Sequence, residues 1–204
     1  MVVFTHGQAK FHFMYERLST SIASKVGVSG EELQLCTSYF TPKKFRKRQY
    51  LLQEGDVCNR LAFVEQGALH AYSLDAKGAT RVIQFAFEGW WIADLYSFFT
   101  QEPSSLHIEA LEDCEVLLLD REQHHRLLRE VPAYETYTRI LYQNAYVALQ
   151  RRVEGTLGLT AEDKYIRLLE QHPSILQRVP LHLVASYLGV TPETLSRIRR
   201  QMTP

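Results

Sequence analysis

Between about residue 49 and residue 120 short apolar runs alternate with glycine, at Gly55, Gly67, Gly78 and Gly89, a spacing of twelve, eleven and eleven residues that predicts successive strands and turns. The runs LAFVEQG with ALHAYSL, then TRVIQFAF and LHIEALEDCEVLLLD, are rich in the β-branched and aromatic residues that pack well on a half-buried pleated surface. They predict an all-β sandwich or jelly roll, in which DAKGATR is a turn and Gly78 supplies its positive φ. On either side of this region the apolar period becomes helical. Ser29 and Glu32 form a capping box that opens a short helix, and Thr160 with Asp163 forms another, for a helix that carries Tyr165, Ile166, Leu168 and Leu169 and ends at His172-Pro173. In REVPAYETYTRILYQNAYVALQRRVEG the positions Tyr137, Leu141, Ala145, Ala148 and Leu149 recur at three and four. That stripe predicts a long helix facing a partner, with a second copy of itself preferred over its own β domain, followed by a hinge at Gly155 to Leu159.

Residues 181 to 200, LHLVASYLGVTPETLSRIRR, fit two short helices crossing over a tight turn. Small Ala185 sits at the closest approach, Gly189 ends the first helix in a left-handed conformation, and Val184, Leu188, Val190, Leu195 and Ile198 bury one helix against the other. The second helix starts at Thr191, which can cap free backbone donors, and Pro192, which needs none. Glu193 favours the positive end of its dipole, while Ser196, Arg197, Arg199 and Arg200 are chemistry for base edges and phosphates.

Overall charge gives a DNA-binding reading no help, since 23 basic and 23 acidic residues cancel. Distribution changes the picture: residues 51 to 135 are acidic and 151 to 204 mildly basic, which suits a dimer pooling two weak sites. The basic cluster Lys43, Lys44, Arg46, Lys47 and Arg48 reads as a solvated face at a strand entry. No stretch approaches eighteen consecutive apolar residues and no signal peptide is visible, so a cytoplasmic protein without membrane contact is expected. Cys36, Cys58 and Cys114 are odd in number and far apart, which predicts buried reduced thiols rather than a disulfide framework or metal pair.

A glycine-punctuated β-roll, a long helix and a C-terminal helix-turn-helix, in that order, resemble the CRP/FNR family of bacterial transcription regulators. The likeness is carried by LAFVEQGALHAYSLDAKGATRVIQF, EGWWIADLYSFF, LEDCEVLLLD and VASYLGVTPETLSRI. It implies an α+β chain: a β-roll (double-stranded β-helix) sensor over residues 1–133, a dimerisation helix over 134–155, and a helix-turn-helix DNA-binding domain over 156–204. It further implies a cytoplasmic homodimer that reads a palindromic operator in double-stranded DNA, with RNA polymerase as a further partner. On this reading the DNA-facing residues are His182, Thr191, Glu193, Thr194, Ser196, Arg197, Arg199 and Arg200. Glu193 and Arg197 fall where the family reads a G·C pair, and Ser196 beside Arg197 resembles the FNR branch, which implies TTGA-like half-sites. Pro192 replaces a basic residue of the cyclic-AMP receptor branch. The sequence given stops at Thr203-Pro204, where many relatives continue into a wing, so affinity is expected to lean on the dimer and on Arg199 and Arg200.

In cyclic-AMP-binding members a Gly-Glu-Leu run is followed by Arg-Ser or Arg-Thr. Here the corresponding cassette reads Ala93, Asp94, Leu95, Ser104 and Ser105. A buried cyclic phosphate needs a charge partner, which Ser104 cannot supply, so cyclic AMP is not expected to bind in the usual way and the effector is unknown. Phe85, Phe87, Trp90, Trp91, Tyr96, Phe98 and Phe99 cluster nearby in sequence and read first as core, second as the lining of a planar ligand's site. His70 and His107 stand alone on their strands and His124 and His125 read as surface residues of a helix, so no enzyme, metal or cofactor is expected; an iron–sulfur sensor would need about four clustered cysteines. The alternative is a ligand-sensing β-roll whose C-terminal helices serve protein contacts.

Overall fold

The computed structural model describes residues 15–202. Two helices, α1 (Glu16–Ala23) and α2 (Gly30–Ser38), precede eight strands: β1 (Thr41–Phe45), β2 (Tyr50–Leu52), β3 (Arg60–Gln66), β4 (Leu69–Leu74), β5 (Thr80–Ala86), β6 (Trp91–Ile92), β7 (His107–Ala110) and β8 (Cys114–Asp120). A short helix α3 (Leu95–Thr100) lies between β6 and β7. The strands form two antiparallel sheets, ordered β1-β8-β3-β6 and β2-β7-β4-β5, as the glycine spacing and alternating runs predict for a jelly roll. Gly67 shows why a glycine is needed at one of these turns. Its φ is +94°, and a Cβ there would lie 2.6 Å from the Asp113 carbonyl oxygen and 2.8 Å from Cys114 Sγ.

Strand β3 is buried along Leu61–Val64 on both faces, because it carries the inner core on one side and α1 on the other. Glu65 fixes that contact. Its carboxylate accepts from the backbone N–H of Arg17 at 3.2 Å and Leu18 at 2.9 Å, and so caps the first turn of α1 from a distant strand. Both expected capping boxes are present, at Ser29–Glu32 on α2 and Thr160–Asp163 on α6 (Ala161–Gln171).

After β8 come α4 (Arg121–Glu130) and the long α5 (Pro132–Gly158), whose two halves differ. Tyr134 and Tyr137 are fully buried in the β-roll core, whereas Tyr146 is 68% and Leu149 60% exposed. The stripe expected to face a partner therefore splits: Tyr137 belongs to the chain's own β domain, and only the distal part is uncovered. Helix α5 also continues through the expected hinge as far as Gly158, with Gly155 accommodated inside it.

Beyond α6 lie α7 (Ile175–Arg178), α8 (Leu181–Leu188) and α9 (Pro192–Met202). Gly189 closes α8 at φ +72°, and Ala185, Val184, Leu195 and Ile198 are buried where the two helices cross, as the sequence pattern requires. This unit does not stand apart. Its core is continuous with Ala68, Tyr72, Val82, Phe85, Phe87 and Leu111 of the β-roll.

Candidate nucleic-acid interface and effector site

Helix α9 is amphipathic. Leu195 and Ile198 anchor it, while Glu193, Arg197, Arg199 and Arg200 are exposed and Thr194 and Ser196 half-buried. Thr191 acts as its cap, with Oγ1 accepting from the Thr194 N–H at 3.2 Å. The Glu193 carboxyl is held below the usual carboxylate range by its own backbone N–H and by the Thr191 hydroxyl. Glu193 and Arg197, one turn apart, share a face, so an acceptor and a forked donor stand side by side. Arg200 Nε lies 3.4 Å from the Ser196 carbonyl oxygen, which directs it along the helix. His182 is exposed at the start of α8, near enough to buried His70 to disfavour a charge there.

The opposite side of this unit is seated on the edge strand β5, and the sequence reading missed the seat. Ser186 Oγ accepts from the Val82 N–H at 3.0 Å and donates to the Thr80 carbonyl at 2.6 Å. The Arg152 guanidinium of α5 donates to the Val82 carbonyl at 3.2 Å and to that of Ile83, and stacks 4.6 Å from the Tyr187 ring centroid. These bonds satisfy backbone groups that an edge strand otherwise leaves open. Arg178 completes the seam with a two-pronged bridge to Glu88, both contacts at 2.8 Å, and a further contact to Glu112, its guanidinium lying 5.2 Å from the Phe87 ring centroid. The paired cation holds the Glu88 carboxyl below its usual range, against the opposing effect of burial. No sequence signal marks Arg178, because its partners lie 90 and 66 residues away.

The cassette residues close on themselves. Asp94 caps α3, accepting from the Ser97 N–H at 3.3 Å through one oxygen and from Ser104 Oγ at 2.7 Å through the other. Ser104 Oγ in turn accepts from the Leu106 N–H at 2.9 Å, and the Ser104 backbone bonds Gly55 and Asp56. Both side chains are buried, and their polar groups satisfy each other. Ser105 is exposed, and Ala93 and Leu95 are half-buried.

Ala93 and Leu95 face a separate cavity of about 520 Å³ between the β6–α3 corner and α5, which Asp94, Ser104 and Ser105 do not line. The aromatic residues grouped in the sequence part company here. Trp90 and Trp91 line the cavity, Phe85 and Phe87 join the seam under α8, Phe98 is core, and Tyr96 and Phe99 are exposed. His124 also lines it, which corrects the expectation of a surface residue: it is buried, with Nδ1 3.0 Å from the Tyr134 hydroxyl. Burial pushes its pKa down to about 4, and that of His70 likewise. Among the described residues no group of His, Cys, Asp and Glu is arranged to hold a metal ion, and no helix is long and apolar enough to cross a membrane.

Residues 42–131 match the profile of the cyclic nucleotide-binding domain. The chain is 26% identical over 183 residues to the cyclic AMP receptor protein of Thermus thermophilus, covering 84% of this chain and 81% of that protein. Its fold is similar to that of FixK2 from Bradyrhizobium japonicum, with a TM-score of 0.67 and 21% identity over 80% of this chain and 84% of the other. It is also similar to a protein of Eubacterium rectale described as a transcriptional regulator of the CRP/FNR family, with a TM-score of 0.62 and 17% identity over 85% and 83%. A cyclic nucleotide-binding domain over residues 42–131, joined by a long helix to a helix-turn-helix, gives the chain the architecture of the CRP/FNR transcription regulators.

Proposed function

We propose that the chain is a homodimeric, sequence-specific DNA-binding transcription regulator of the cytoplasm, one that does not respond to cyclic AMP in the usual way. The observation that carries this reading is α9: a helix seated by Leu195 and Ile198 that turns Glu193, Arg197 and Arg200 to one side, with Arg199 exposed on its flank. Arg197 donates two bonds to a guanine edge and Glu193 accepts from the adjoining cytosine. Arg199, Arg200, His182, Thr191, Thr194 and Ser196 position the helix on phosphates and flanking bases. The exposed distal half of α5, with Tyr146, Leu149 and Val153 on one side, supports pairing with a second copy. Two copies of α9 then enter successive major grooves of a palindrome with TTGA-like halves, and RNA polymerase is the partner through which binding acts on transcription. The units of this machine are the sensor over 1–133, the dimerisation helix over 134–155 and the DNA-binding domain over 156–204. Residues 1–14, 203 and 204 of those spans lie outside the described residues.

The mutual satisfaction of Asp94 and Ser104 supports the second half of the proposal. A cyclic phosphate placed on Asp94 and Ser104 would have to break their bond, and neither side chain offers it a positive charge. The test is binding of the purified chain to a TTGA-palindrome duplex across a salt series, with and without cyclic AMP. Affinity that falls steeply with salt and is indifferent to cyclic AMP is expected. Salt-insensitive or absent binding would favour a β-roll whose C-terminal helices contact protein.

A further inference from the structure

We propose that Arg152 is a positioning residue for DNA recognition: by tying the dimerisation helix α5 to β5 and to α8, it fixes where the two copies of α9 stand and so selects the spacing between the half-sites. The inference rests on the DNA-binding reading above and adds to it a determinant that lies outside α9.

Three elements meet at this one side chain. Its guanidinium donates to the Val82 carbonyl at 3.2 Å and to the Ile83 carbonyl, and it lies over the Tyr187 ring of α8, 4.6 Å from the centroid. The strand is shaped for this contact. Its pairing with β4 steps from Ala71↔Gln84 to Tyr72↔Val82, so Ile83 is a bulge residue with no partner on β4, and Arg152 takes its carbonyl. Val82 is held from both helices, its N–H by Ser186 of α8 and its carbonyl by Arg152 of α5. Ala185, Leu188, Leu195 and Ile198 are buried in one cluster where α8 crosses α9, so whatever holds α8 also places α9.

The backbone joins α5 to the DNA-binding unit through Leu159 and Thr160, both extended. A short extended link is a natural pivot, and a second tether beside it removes that freedom. Ser186 and Arg178 tie the unit to the β-roll, whereas Arg152 ties it to the helix along which the copies pair. At 100° per residue Arg152 stands about 90° around α5 from the stripe of Tyr146, Leu149 and Val153, so pairing through that stripe leaves its bonds within its own chain.

Spacing is the property that such a tether controls. Each base pair inserted between half-sites moves one of them by about 3.4 Å and turns it by about 35°, a step that rigidly held recognition helices cannot follow and loosely tethered ones can. The experiment is competition binding of the full chain to duplexes that carry the two half-sites recovered by selection, at their preferred spacing and at one base pair more and one fewer. The wild-type chain is expected to bind the off-spacing duplexes at least about tenfold more weakly, and Arg152→Gln to shrink that penalty to about threefold while keeping its preference for the selected halves over scrambled ones. Arg152→Lys keeps the charge but loses the stacked fork, and should behave like Arg152→Gln. If Arg152→Gln does not fold, Tyr187→Leu takes its place with the same expectation, since it removes the ring on which the guanidinium stacks. An unchanged penalty, a loss of affinity by the same factor at every spacing, restoration of the wild-type penalty by Arg152→Lys, or a wild-type chain indifferent to spacing would each overturn the proposal. Selection that recovers no paired half-sites removes the DNA-binding reading itself, so the two failures are distinct.

Discussion

At the β6–α3 corner Asp94 and Ser104 are buried and joined at 2.7 Å, whereas on α9 Glu193 and Arg197 stand exposed above a buried Leu195. Both regions combine an acidic side chain with hydroxyls and a helix start. In the corner every such group is spent inside the chain: the carboxylate caps α3, the Ser104 hydroxyl bridges it to Leu106, and Ser97 ties Cys58 to Glu102. On α9 the hydroxyl of Thr191 caps the helix and bonds Glu193, and Arg197 is turned toward solvent. The difference separates two uses of polar residues. Groups satisfied internally hold a shape, and groups presented outward on a rigid seat are available to a partner.

That contrast can be broken from the α9 side first. Arg197→Ala is expected to cost about 2 kcal/mol of discrimination between the preferred and a scrambled duplex, with little change in thermal stability because the side chain is exposed. Competition binding against both duplexes, alongside calorimetry of unfolding, reads the two effects separately. Next comes the seat. Removing the half-buried Arg178 leaves Glu88 and Glu112 without their cation, so Arg178→Ala should destabilise the chain by about 2 kcal/mol in urea unfolding and loosen α8 from β5 in hydrogen exchange. Retained protection at Val82 in that variant would show that Ser186 and the apolar seam suffice.

In the corner, Asp94→Ala should cost about 1–2 kcal/mol of stability through the lost cap and orphaned Ser104 hydroxyl, and leave DNA affinity unaltered. Acid provides a graded version of the same contrast between inside and outside. His70 and His124 are buried with pKa values of about 4, so in the unfolded chain they take up protons from about pH 6.5 downward while the folded chain refuses them until about pH 4. Their contribution is thus fully present above pH 6.5 and declines as pH falls toward 4. The urea midpoint should drop across that window, and His124→Phe should flatten the slope. The smallest effect is expected at the strand entry: Lys44→Ala breaks an exposed pair with Glu115 and should shift stability by less than about 0.5 kcal/mol.

Much of this fold is legible in local chemistry. Gly55, Gly67, Gly78 and Gly89 all adopt positive φ, and Ser29, Thr160 and Gly189 cap or end helices as their neighbours require. These are decisions made within a few residues. What escaped depends on distant partners. His124 is internal because Tyr134, from the next helix, closes over it. The stripe on α5 is continuous in sequence, yet the β-roll covers Tyr137 and stops short of Leu149. The aromatic group from Phe85 to Phe99 scatters because a strand, a turn and a helix send neighbouring side chains to different places. The polar face of α9 could be listed from the sequence, since its helical period fixes which residues face away from Leu195 and Ile198. The seat that orients the face could not, as Arg178 meets Glu88 and Glu112 only after the jelly roll has closed.

The central claim is that α9 reads DNA sequence, and selection of bound duplexes from random DNA by the purified chain, with no ligand added, tests it most directly. The account predicts enrichment of a palindrome with TTGA-like halves that Arg197→Ala erases. Recovery of no enriched motif, or of the same motif with Arg197→Ala, would contradict it.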